Sequence, residues 1–145
     1  MENQDLILEL QEWDGKHVDY LIDIYDNYSN QDVFFDQLLE ISTIQVLQTA
    51  TTWLIKHHYD QKQSLNQHQI DNLLGISTEL VHWEAQLHVL QLLPKVKISE
   101  TILPIVDEFV NNCLESKKKF VRAWAYQGFY ELTKHRPEYK EPLRL

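Results

Sequence analysis

Residues 117–135, KKKFVRAWAYQGFYELTKH, decide how the chain is read, because they hold more apolar residues than one face of a helix can use. Val121, Ala125, Gly128, Phe129 and Leu132 fall at i, i+4, i+7, i+8 and i+11, a single helical stripe. Phe120, Ala123, Trp124, Tyr126 and Tyr130 then cover much of the remaining circumference, which a helix lying on one core does not need. The pattern predicts a helix pressed from more than one side. Stacked helical hairpins produce that arrangement, each pair packing on the pair before and after it.

Working outward, the other segments carry the same period. Leu6, Leu10 and Trp13 mark a first helix that Asp14-Gly15 stops. Val18, Leu21, Ile22, Tyr25 and Tyr28 make a second, with Asp19, Asp23 and Asp26 on its opposite face and Tyr20 and Asn27 beside them. After the turn formers at 29–32, Phe34, Phe35, Leu38 and Ile41 define a third. Ser42 and Gln45 have capping-box spacing and predict a helix from Thr43 to about Tyr59. The polar connection DQKQSLN leads to Ile70, Leu73 and Leu74, a short helix ended by Gly75, with Ser77 as cap for the next. That next helix has the stripe Leu80, Trp83, Leu87 and Leu90 and stops at Pro94. Ser99 and Glu100 open another, with Pro104 in its first turns and a stripe from Ile102 to Leu114, and Ser116 caps the last. Arg136-Pro137 closes the pattern, leaving EYKEPLRL as a terminal turn or capping tail.

Only three glycines and four prolines occur in 145 residues, and no segment alternates strictly, so neither hairpin turns nor a sheet is expected. The expected fold is all-α: about eight helices in four antiparallel pairs stacked as a short superhelix. One domain, 1–145, accounts for the length, with a helical pair at 3–29 followed by pairs at roughly 32–59, 66–94 and 99–135.

The pair at 99–135 ends in Val121, Arg122, Ala125, Gly128, Phe129 and Leu132, spaced V-R-x-x-A-x-x-G-F-x-x-L, and it resembles a HEAT repeat. WEAQLHVLQLLP, from Trp83 to Pro94, is similar to the same second helix in a looser form, and the pair at 32–59 matches in layout. The family's turn aspartate is missing, since the turn before Val121 reads ESKKK, and Glu84 stands where the preceding repeat would carry an arginine. The chain thus looks like a divergent HEAT or armadillo-like stack whose aspartate–arginine ladder is broken. The resemblance implies a scaffold or recognition role on a concave surface lined by second helices, without catalytic residues.

The residues themselves offer little chemistry. Seven histidines include no HExxH spacing and no completed ligand set, so no metal or other cofactor is expected. Cys113, the single cysteine, lies in the apolar stripe with Phe109, Val110 and Leu114 and reads as a core residue. Three glycines are too few for a phosphate-binding loop. The formal charge of −9 disfavours nonspecific attraction to nucleic acid or anionic lipid, yet it is unevenly spread. Residues 1–75 hold thirteen acids and three lysines, a net −10, whereas residues 76–145 hold nine acids and ten bases, a net +1. No run of apolar residues is long enough for a membrane span, and the acidic start MENQDLILELQEWDG is unlike a secretory leader, so the cytoplasm is the expected address.

The expected function is a non-catalytic protein-interaction or scaffold module. Its candidate partner-binding residues are Asp19, Tyr20, Asp23 and Asp26, suited to a basic protein surface, and Trp83, His88, Trp124 and Gln127 on second helices. The alternative is a nucleic-acid-binding protein, DNA glycosylase-like by resemblance to some HEAT-like enzymes, using Lys118, Lys119, Arg122 and Lys134 among the aromatics of the last helix. A third case is self-association of the acidic front half with the basic back half of another copy.

Overall fold

These apolar stripes become eight α-helices in the computed structural model, which describes residues 3–135. They are α1 (Asn3–Gln11), α2 (Val18–Tyr28), α3 (Phe34–Ile41), α4 (Gln48–Asp60), α5 (Gln67–Gly75), α6 (Trp83–Leu92), α7 (Leu103–Leu114) and α8 (Lys119–His135). Single 3-10 turns sit at Gln45–Leu47, Ser77–Glu79 and Leu93–Lys95, and no strand occurs among the described residues. The all-α class is as expected; the closure at Arg136-Pro137 and the segment EYKEPLRL lie outside the described residues.

Several helix ends differ from the expected devices. Ser42 does not cap a helix at Thr43: its hydroxyl donates to Leu39 O at 2.7 Å, closing α3, and α4 starts only after the 3-10 turn. Ser77 behaves likewise, donating to Leu74 O at 2.7 Å, while α6 begins at Trp83 without a side-chain cap. Both serines follow a helix, where their hydroxyl meets carbonyls left without a helical partner. The capping box lies instead at the start of α5. Asn66 Oδ1 accepts from Gln69 N at 2.8 Å, and Gln69 Oε1 accepts from Asn66 N at 3.0 Å. Gly75 ends α5 without a left-handed backbone; Gly15, at φ +78°, is the glycine that needs one, in the turn where Asp14 Oδ1 accepts from Lys16 N and His17 N.

Contacts between helices run in two rows. In one, α1 meets α3, α3 meets α5 and α5 meets α7; in the other, α2 meets α4, α4 meets α6 and α6 meets α8. The rows are joined where α3 meets α4 and α7 meets α8. Along the second row, α4 and α6 run the same way. Buried Gln48, which opens α4, donates from Nε2 to Glu79 O at 3.1 Å and accepts from Val81 N at 2.9 Å, both just ahead of α6. At the other end of the pair, Asp60 closes α4 and Lys95 follows α6, 3.5 Å apart.

Further side-chain bonds repeat this step. Gln69 Nε2 on α5 donates to Asp36 Oδ1 on α3 at 3.0 Å, and Ser99 Oγ before α7 donates to Asp71 Oδ1 on α5 at 2.7 Å. Tyr25 on α2 lies with its hydroxyl 2.8 Å from His58 Nδ1 on α4. All these partners are 28 to 36 residues apart in the chain, so neighbours within a row are joined by polar contacts at a nearly constant step. Such bonds leave few buried polar groups unpartnered in a core otherwise filled by leucine, phenylalanine and valine.

α8 contacts α6 and α7 through its expected stripe, with Val121, Ala125, Phe129 and Leu132 fully buried. Gly128 permits the approach to α7: a Cβ there would stand 3.0 Å from Val110 Cγ2 and 3.4 Å from Leu93 Cδ1. α6 and α7 press α8 from two sides, and its remaining face is open. Phe120, Tyr126 and Tyr130 are 68%, 61% and 56% exposed, because no helix among the described residues follows α8 in its row.

Candidate functional site

The crevice between α4 and α6 brings together aromatic, imidazole, cationic and carboxylate side chains. On α4, Trp53 and His57 are one helical turn apart and stack, ring centroids 4.7 Å apart and planes inclined by 13°. Tyr25 from α2 meets the same imidazole in a T-shaped arrangement, ring centroids 4.8 Å apart. Lys56 and Asp60, also one turn apart, pair at 3.0 Å, and Lys95 approaches the same carboxylate. α6 supplies Leu87, His88 and Gln91. Together Trp53, Lys56, His57, Asp60 and the three α6 residues line an open cavity of about 190 Å³.

His88 is tied to α4 through Thr52. The Thr52 hydroxyl donates to Gln48 O at 2.8 Å and lies 2.8 Å from His88 Nδ1. Having one proton, already given to the carbonyl, it accepts from Nδ1–H, which leaves Nε2 as an acceptor. Burial, reinforced by the nearby Lys56 ammonium, pushes the imidazole down from 6.5 to about 4, so His88 is neutral at pH 7. The crevice therefore offers an aromatic wall, a lysine already paired with a carboxylate, and a neutral histidine.

The expected site residues do not gather in one place. Trp83 and His88, five residues apart on α6, look to opposite neighbours: His88 to α4, and Trp83 to the chain entering α8, where Lys118 Nζ sits 5.0 Å from the indole. Trp124 and Gln127 are half-buried on α8, and Gln127 Nε2 donates to Glu131 Oε1 at 3.1 Å. Tyr20 is not the free aromatic that was expected. It is half-buried, and its hydroxyl donates to Glu9 O at 2.6 Å, binding α2 to α1. Asp19, Asp23 and Asp26 are exposed along one stripe of α2.

The candidate nucleic-acid contacts are largely engaged within the chain. Arg122 Nη1 donates to Ser116 O at 2.8 Å, and Lys118 covers Trp83. Lys134 pairs with buried Glu131 at 3.2 Å and lies over the Tyr130 ring at 4.8 Å. Lys119 is exposed. Trp53, Lys56, His57 and Asp60 were not singled out in the sequence, although the i, i+4 pairs Trp53/His57 and Lys56/Asp60 were there to be read. Cys113 is buried, as expected of a core residue, and burial pushes its thiol up to about 12. Among the described residues, no group of three or more histidine, cysteine or carboxylate side chains is placed to hold a metal, and no helix is long and apolar enough to cross a membrane.

No family model, no curated protein and no solved structure matches this chain.

Proposed function

We propose that the protein is a non-catalytic interaction module of HEAT-like helical pairs, which binds a partner protein in the α4–α6 crevice. The observation that carries this is the cavity of about 190 Å³ walled by the Trp53–His57 stack and Leu87, with the His88 imidazole as a polar acceptor. A large apolar or aromatic side chain with one N–H or O–H donor fits those walls. Half-exposed tryptophan beside a pit is the kind of anchor that dominates protein interfaces. The two rows, whose neighbouring helices are bonded at steps of 31 and 33 residues, support the repeat reading, because such stacks present long faces rather than enclosed sites.

The test is co-purification from a native lysate with the wild-type chain and with Trp53→Ala, both shown to be folded by far-UV circular dichroism. The expected result is a stoichiometric protein retained by the first and lost by the second. If wild type and variant retain the same partner equally, the crevice is not the binding surface. If the wild-type chain retains only nucleic acid, released as salt rises, the basic half of the chain is the functional surface instead.

A further inference from the structure

The outer face of α8 is organised, not merely uncovered. Lys119, Ala123, Tyr126, Tyr130 and Lys134 fall at i, i+4, i+7, i+11 and i+15, one continuous stripe, and all five are exposed, with exposed Phe120 alongside. It lies opposite the buried Val121–Leu132 stripe, at the end of the row α2, α4, α6, α8. At the other end of that row, α2 turns Leu21, Ile24 and Tyr25 inward, with Tyr25 reaching α4, and carries Asp19, Asp23 and Asp26 on its exposed side. One end of the row is thus aromatic and cationic, and the other carboxylate-rich. The halves of the chain that contain them carry net charges of +1 and −10.

We propose that the outer face of α8 docks on the outer face of α2 of a second copy, continuing the row from one molecule into the next. The geometry suits this. α4 and α6 already run parallel within this row, and an incoming α2 can lie beside α8 in the same sense. At 1.5 Å per residue, the three aspartates span about 10 Å of helix and the two lysines about 22 Å. Lys119 can therefore reach inward from one end, and Lys134 from the other by giving up its pairing with Glu131, to bracket the carboxylates with Tyr126 and Tyr130 between them. Because the two faces differ, the contact is heterologous: each copy keeps one face free, and assembly is open-ended rather than closed at two.

Sedimentation velocity over a concentration series tests the proposal, on the whole chain in about 20 mM and about 0.5 M salt, which changes the screening length from some 20 Å to a few Å. The expected result at low salt is a weight-average mass that rises past the dimer with concentration, and at high salt a monomer. Lys119→Glu with Ala123→Glu makes both ends acidic, and Asp19→Lys with Asp23→Lys makes both ends basic. Each double variant alone should remain monomeric, while an equimolar mixture should associate again. All four positions are exposed, and circular dichroism confirms that each variant is folded. A wild-type chain that stays monomeric at low salt overturns the proposal. So does a species that stops at the dimer, association that survives in either double variant, or a folded mixture that fails to associate. A short DNA duplex that binds the wild-type chain and not the α8 variant, with no self-association, also overturns it and assigns the stripe to nucleic acid.

Discussion

His88 shows how a residue that looks functional in sequence becomes structural in the fold while keeping one open atom. Its Nδ1–H belongs to Thr52, and its burial between α4 and α6 favours the neutral ring. A histidine whose folded pKa lies below its unfolded one binds fewer protons when folded. Its contribution to stability is therefore fully present above pH 6.5 and is lost as pH falls toward about 4. A tenfold change in proton affinity is worth about 1.4 kcal/mol, so the loss from this residue is on the order of 3 kcal/mol across the window. Urea unfolding at neutral pH and near pH 5 should show a fall in stability that is smaller in His88→Asn, whose amide nitrogen can replace Nδ1–H. An equal fall in both proteins would place the acid sensitivity elsewhere. The sequence placed His88 among the partner-binding candidates but held no sign of its tie to Thr52, which lies 36 residues away in the chain.

At the scale of the element, the periodic stripes located each helix well, and the caps were legible only in part. Asn66 of the Asn66/Gln69 capping box was the last residue of a stretch read as a polar connection, whereas Ser42 and Gln45 had the right spacing and a different use. A capping residue is defined by the backbone it meets, and that backbone is set by where the preceding helix ends. Asn66→Ala is expected to cost about 1 kcal/mol, seen as a lower urea midpoint with unchanged slope. Gly75→Ala is expected to raise stability by about 0.4–1 kcal/mol, since a Cβ there meets nothing within 4 Å and the backbone is not left-handed. A destabilised Gly75→Ala protein would mean that the α5 end needs glycine for a reason other than conformation or space.

For the whole molecule, stability should be transmitted along each row by the polar bonds between neighbours. Gln48 is the clearest link, buried in α4 and bonded on both sides of its amide to the chain ahead of α6. Gln48→Ala strands Glu79 O and Val81 N and is expected to cost about 1–3 kcal/mol. Hydrogen exchange should report the loss unevenly, with α6 amides less protected and those of α1 little changed; uniform loss would mean that the stack unfolds as one cooperative unit. Periodicity and the shortage of glycine and proline determined by themselves that this chain is helical and where its helices lie, because a 3.6-residue stripe and the absence of turn formers are local properties. The partner across each stripe was left to the tertiary structure. Trp53 meets Leu87 and His88, Tyr20 is tied down by Glu9, and Phe120, Tyr126 and Tyr130 stay uncovered, since burial depends on which helix arrives opposite, tens of residues away in the chain, and on where the row ends.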